Sequence, residues 1–296
     1  MIKKKRSIIV GMGIGQLYQQ VLENLGHEVI TVDTNPARGA KYTDISQAII
    51  DHAPFDTAHI CTPNNTHLTL ADELGSCSSM VFVEKPGVAN AVEWAALVAH
   101  CPYTRFVMVK NNMWRSNIEE LKTLASQAKT VNLNWINKDR VPNPGTWFTT
   151  KEFAFGGVSR DLMPHLLSLF IALNPEWISA SVSEQGSQVK WKLEDLTTTE
   201  YGTVKADGIY DVDDVCHISF GNKWNLKAEW RSMDKDQRNI EFVMQDDSVK
   251  IFELGLCPED AYENMIKDCI SNYNNPGFWL DQLKKDLWIH YKVQDL

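Results

Sequence analysis

The run Val81-Phe82-Val83-Glu84-Lys85-Pro86-Gly87 ends an apolar, strand-like stretch on an acid, a base and a proline. A proline removes one backbone donor and biases the residue before it toward extended geometry. Lys85 therefore reads as a cation on a fixed stem at a strand's carboxyl end, which is where open α/β sheets bind ligands. Farther along, Asp161 and His165 stand one helical turn apart, so a helix over 161–173 puts them on one face beside an apolar stripe of Leu162, Leu166 and Phe170. Histidine titrates near neutral pH and suits a general base, while a lysine cation can stabilise negative charge developing on an oxygen. The plainer alternatives are a solvated Glu-Lys turn and a helical histidine satisfied within a core. Asp-x-x-x-His could also be half of a metal site, but the spacing offers no third ligand, and no metal is expected.

The turn after the first apolar run reads Val10-Gly11-Met12-Gly13-Ile14-Gly15-Gln16. Glycines there let the backbone turn sharply and approach a pyrophosphate at the positive end of the following helix. The match to G-x-G-x-x-G is imperfect, because Gln16 takes the third glycine position and Gly15 falls one residue early. Asp33 closes the second strand where an acid accepts hydrogen bonds from a ribose. A carboxylate there repels a 2′-phosphate, so NAD is expected over NADP, with Arg38 keeping NADP open. The third strand ends in Ile60-Cys61-Thr62-Pro63-Asn64-Asn65-Thr66-His67.

The glycine turn, T-P-x-x-x-H, E-K-P, Trp147, Gly156-Gly157 and Asp161-Leu-Met-Pro-His165 together resemble the Gfo/Idh/MocA family of nicotinamide-dependent oxidoreductases. The resemblance spans both halves of the chain. It implies an N-terminal Rossmann domain, a doubly wound parallel sheet, followed by an α+β domain with an open, mainly antiparallel sheet. It also implies that Gly11, Gly13, Ile14, Gly15, Asp33, Thr62, Pro63, Asn65, His67, Glu84, Lys85 and Asn112 bind the cofactor. Lys85, His165 and Asp161 would be catalytic, with Lys85 and His165 acting on one substrate hydroxyl. Asn112 and Trp147 would join those three around the substrate. The implied reaction is hydride transfer between NAD and a hydroxyl or keto carbon of a sugar, nucleotide sugar or cyclitol, in a homodimer or homotetramer. Other readings are a cofactor-binding regulator without turnover and a dehydrogenase of imines or amino acids. The chain departs from the family pattern at Lys110-Asn111 and Met113-Trp114-Arg115, and at Ser168, where many members carry an acid.

Two kinds of domain must position these residues. Strand-like runs at 7–10, 28–32, 57–61, 80–83 and 106–109 alternate with helical spacing at 17–25, 45–52, 66–74 and 92–100, which implies a parallel sheet covered on both faces. From about Thr130 strands follow one another, at 131–136, 178–182, 215–220, 224–231 and a hairpin over 240–251. The helix over 161–173 interrupts them, and helices at 258–270 and 278–293 close the chain. This places a dinucleotide-binding domain at 1–128 and a substrate-binding, oligomerising domain at 129–296. The formal net charge of −9 argues against nucleic-acid binding. Lys3-Lys4-Lys5-Arg6 reads as a solvated lead into the first strand, and no apolar run is long enough for a membrane span. Cys61, Cys77, Cys101, Cys216, Cys257 and Cys269 form no C-x-x-C pair, which fits a reduced cytoplasmic protein.

Overall fold

Parallel strands covered on both faces must be apolar on both, and the first five strands meet that demand. The computed structural model describes residues 4–234, 236–255 and 259–296. Strands β1 (Arg6–Val10), β2 (Glu28–Val32), β3 (Phe55–Ile60), β4 (Ser78–Val83) and β5 (Arg105–Met108) form a parallel sheet in the order β2-β1-β3-β4-β5. Ile8, Ile9, Ile30, Ala58, Ile60, Val81, Phe82, Val83 and Val107 are all buried. Helices α1 (Gly15–Asn24), α2 (Ile45–His52), α3 (His67–Gly75) and α4 (Ala91–His100) occupy the crossovers. Asp44 and Asn90 cap α2 and α4 by accepting the amides of Ser46 and Glu93. Chain order reverses between β1 and β3, which makes a switch point at the carboxyl edge. There the amides of Gly11, Cys61, Glu84 and Val109 bond to neighbouring strands, extending the ladder into the loops.

The second sheet starts after α5 (Ile118–Gln127). It is built from β6 (Thr130–Ile136), β7 (Val182–Gln188), β8 (Val215–Phe220), β9 (Trp224–Glu229), β10 (Gln237–Val243) and β11 (Val249–Glu253). The order is β11-β10-β6-β9-β8-β7, antiparallel throughout except for the parallel pair β6 and β9. Cys216, Ile218 and Phe220 alternate inward along β8, as do Trp224, Leu226 and Ala228 along β9. Between β6 and β7 lie α6 (Lys151–Ala154), α7 (Val158–Asp161) and α8 (Met163–Leu173). Phe170 of α8 stacks on Phe220 at 4.2 Å and meets Trp224 edge-on at 5.2 Å, joining helix to sheet.

Three expectations change in detail. The helix expected over 161–173 is two helices separated at Leu162. Pro164 sits in the first turn of α8, where a missing amide costs nothing. The strand expected over 178–182 starts only at Val182, and Trp177–Ser179 is a 3-10 turn. The strand itself reads Val-Ser-Glu-Gln-Gly-Ser-Gln at a sheet edge, so hydrophobicity does not mark it. The chain also forms two compact units that divide elsewhere than at 128. One runs to Val109 and regains Tyr262–His290, while the other comprises Lys110–Ala261 and Tyr291–Leu296. The returning segment belongs to α9 (Glu259–Ser271) and α10 (Pro276–Gln294). Within the first unit, Tyr262 packs edge-on against Tyr18, and the buried Asp286 accepts the Met108 amide at 3.2 Å. Cys257 and Pro258 lie outside the described residues.

A buried polar chain crosses the first sheet, from His27 Nδ1 to Ser7 Oγ at 2.6 Å, on to Thr57 Oγ1 at 2.7 Å and to His59 Nε2 at 3.0 Å. The His59 ring stacks on Phe82 and is fully buried, and burial pushes its pKa down to about 3. Unfolded, the same ring titrates near 6.5. The unfolded chain therefore binds the extra proton below that pH, so stability present at neutral pH is lost as pH falls toward 3. One such group contributes a slope of about 1.4 kcal/mol per pH unit. Urea midpoints measured from pH 7.5 down to pH 5 are expected to fall accordingly, and His59→Gln to give a shallower dependence.

Candidate dinucleotide and substrate sites

Each glycine of the first turn answers a different constraint. Gly11 has φ +92°, and a Cβ there would stand 2.5 Å from the Cys61 carbonyl oxygen. Gly15 opens α1 against β1, where a Cβ would meet Ile9 at 2.9 Å. It thus supplies the close helix-to-strand packing assigned to the third glycine of the motif, although it comes one residue early. Gly13 is exposed, and a Cβ there would meet nothing within 4 Å. The half-buried Ile14 precedes α1 and offers it no side-chain cap, so the positive end of the helix is left to an anion. Asp33 faces the same turn, with Oδ2 accepting the Met12 amide at 2.7 Å and Oδ1 the Asn35 amide at 2.8 Å. Arg38 is exposed on the short helical turn that follows.

The loops after β3 and β4 are tied to each other and to two helices. His67 is fully buried at the start of α3, its ring nitrogens 2.7 Å from the Gly87 carbonyl oxygen and 2.8 Å from that of Thr62. Burial lowers its pKa, with the two carbonyls acting in the opposite sense. It holds loops in place from within the core. The Thr62 and Thr66 hydroxyls share a bond of 2.6 Å, and Thr66 donates to the Pro63 carbonyl, which sets the turn that exposes Asn65. Glu84 is buried and accepts the Tyr18 hydroxyl at 2.7 Å. That carboxylate and burial together hold the phenol well above its usual pKa, burial contributing most. On the far side of Lys85, the Val88 amide donates to His290 Nε2 at 3.4 Å, while His290 Nδ1 donates to the Asp286 carbonyl at 2.8 Å. Gly87 has φ +82°, and a Cβ there would press on the His290 ring at 2.9 Å. Lys85 itself is half-buried, on a stem fixed from both sides.

In the second unit a separate cluster forms around His165. Its ring stacks on Trp135 at 5.2 Å, and Nδ1 lies 3.3 Å from Asn112 Nδ2. Asn112 is buried, and its Oδ1 accepts from Arg115 Nε at 2.8 Å. Asp161 Oδ2 accepts the Trp230 indole N–H at 2.9 Å, and Ser168 donates to the His165 carbonyl. Trp147 stands on a 3-10 turn with its ring stacked on Phe148 at 3.9 Å.

Gly156-Gly157 has a packing reason. A Cβ on Gly157 would sit 1.8 Å from the Asp213 carbonyl oxygen, and the Asp213 carboxylate accepts the amides of Gly157 and Ser159 at the start of α7. Tyr18, Trp135, Trp230, Asp213 and His290 went unread as parts of these sites. Only the acidic run Asp211-Val-Asp-Asp214 before β8 carries a sequence signal for any of them. Among the described residues, Asp72, His100 and Cys101 group as ligand types that could hold a metal, all three outside the sites described above.

A parallel five-stranded unit with a glycine turn, followed by a mixed, mainly antiparallel sheet, is the fold of the Gfo/Idh/MocA-type dehydrogenases. The inositol dehydrogenase homolog from Azotobacter vinelandii, complexed with NAD+, is similar with a TM-score of 0.70 at 14% identity, covering 99% of this chain and 95% of that one. The WlbA dehydrogenase from Bordetella pertussis, in complex with NADH and UDP-GlcNAcA, gives 0.69 at 16% identity over 98% and 96%. Levoglucosan dehydrogenase, in complex with NADH and levoglucosan, gives 0.69 at 15% identity over 98% and 97%. A protein of Amycolatopsis mediterranei (strain S699), assigned as a UDP-kanosamine synthase oxidoreductase subunit, is 31% identical over 187 residues, 57% of this chain. The match spans 52%, about half, of that relative's length. No protein-family profile matches the chain.

The glycines separate packing from ligand binding experimentally. Gly11→Ala is expected to destabilise the protein by about 2 kcal/mol, through strain and the clash with Cys61. Gly13→Ala is expected to leave stability within about 0.5 kcal/mol, and a dinucleotide pyrophosphate seated on this turn is expected to bind about tenfold more weakly, because the added Cβ would hold it off a backbone amide. Thermal melts and fluorescence titration with NADH check the pair.

Proposed function

We propose that the protein is an NAD-dependent dehydrogenase or reductase acting on a hydroxyl or keto carbon of a sugar, nucleotide sugar or cyclitol. The observation that carries this reading is Gly13, where an added Cβ would touch nothing among the described residues, beside the uncapped start of α1. A pyrophosphate supplies the missing reason. The Asp33 carboxylate at the same turn suits a ribose diol and favours NAD over NADP. The similar structures bound to NADH with UDP-GlcNAcA or levoglucosan, and the relative assigned to UDP-kanosamine synthesis, support a polyhydroxylated substrate, with nucleotide sugars first.

NAD held at this turn would supply the hydride acceptor. The chain's own residues must hold the alcohol and carry its proton. In oxidation the C–H electron pair leaves as hydride, the O–H proton passes to the amine of Lys85, and a carbonyl remains. In reduction the Lys85 ammonium returns that proton. Lysine suits the role because its amine can accept a proton from an oxygen and return it. Asp161, His165, Asn112 and Trp147 serve the substrate, and the first unit serves the cofactor. Cys61, Cys77, Cys101, Cys216 and Cys269 are free thiols, which supports work in the reducing cytoplasm. No helix among the described residues is long and apolar enough to cross a membrane. A homodimer or homotetramer is part of this reading, checked by light scattering.

The test is NADH formation with a panel of UDP-hexoses, free sugars and cyclitols. Turnover is expected on a nucleotide sugar, and Lys85→Met should lower it by about 10²-fold or more while NADH binding stays close to wild type. Tight NADH binding with no turnover across the panel would instead favour a regulator, and failure to bind NADH would overturn the reading. Asp33→Ala should weaken NAD and narrow its preference over NADP, both read by titration.

A further inference from the structure

We propose that Arg115 and Asn112 are positioning residues that fix His165 in the tautomer with its proton on Nε2. A guanidinium has only donors. The Asn112 atom 2.8 Å from Arg115 Nε must therefore be the amide oxygen. That orientation turns the Asn112 NH2 group toward His165 Nδ1, 3.3 Å away. An NH2 group has no lone pair to offer, so Nδ1 must accept, and a neutral imidazole that accepts at Nδ1 carries its proton on Nε2. Asn112 and Arg115 are both buried, and stacking on Trp135 holds the plane of the histidine ring.

The consequence bears on the reaction proposed above, on which the functional part of this inference rests. A histidine acting as base through Nε2 needs its resting proton on Nδ1, where here it would point at the amide hydrogens of Asn112. An Nε2 that already carries the resting proton is a donor and not a base, so in this reading the base role expected of His165 from its residue type falls away. The hydroxyl proton is left to Lys85. Arg115 belongs to the run in which this chain departs from the family pattern, so the device comes from the residues that the resemblance left unexplained.

The test needs no substrate, so it stands apart from the question of turnover. Ring nitrogens of the 15N-labelled full chain are observed by long-range proton-nitrogen correlation at pH 8.5, with His165→Gln identifying the signals by their loss. A bare Nδ1 and a protonated Nε2 are expected at His165. In Asn112→Asp the carboxylate can bond Arg115 with one oxygen and accept from the ring with the other, so the proton should move to Nδ1. Arg115→Lys keeps a donor-only partner and should preserve the wild-type pattern. A protonated Nδ1 in the wild type, as the other tautomer or as the cation, overturns the proposal. So does a tautomer that Asn112→Asp leaves unchanged.

Discussion

A carboxylate enclosed at the end of a central strand must find a donor or pay heavily in lost hydration, and Glu84 finds one in the Tyr18 hydroxyl. That bond ties the loop after β4 to the helix that opens on the glycine turn. The same short loop is held by His67 through the Gly87 carbonyl and by His290 through the Val88 amide. Within Glu-Lys-Pro the acid is thus tied into the fold by the Tyr18 hydroxyl, while the neighbouring base stands on a stem held from both sides, although both are ionisable by type.

The His165 cluster follows another logic. Polar side chains there act on one another in sequence, Arg115 on Asn112 and Asn112 on the imidazole, while Trp135 stacks on the ring and Trp230 donates to Asp161. Buried polar chains of this kind set orientation, because each member has a limited set of donors and acceptors and the first fixes the rest.

Much of the fold was legible because burial on both faces leaves a plain mark. Ile8, Ile9, Val81 and Phe82 announce parallel strands, and the alternation of Cys216, Ile218 and Phe220 announces a half-covered sheet. The edge strand Val182–Gln188 was missed because an edge needs little apolar content. The return of α9 and α10 to the first unit was missed for a different reason. Amphipathic spacing shows that a helix buries one face, yet it does not say against what. Among the site residues, the glycine turn and Asp33 could be read from spacing, since their geometry is local. Tyr18 and Trp230 could not, because each acts on a residue distant in sequence and neither is chemically distinctive alone, and the acidic run around Asp213 does not name Gly157 as its partner.

The place of α10 has a consequence for how this chain can be divided. Reading in sequence order suggests that the dinucleotide unit could be cut out by stopping after the fifth strand or at Ala128. Such a fragment would lack Tyr262, Asp286 and His290. It would expose the face of Tyr18 that meets Tyr262, strip the Met108 and Val88 amides of their acceptors, and leave the Gly87 turn without the ring it was shaped around. The first unit is continuous in space and discontinuous in the gene, so neither half of the chain can be exchanged with a homologue's by a single crossover without carrying the last two helices along.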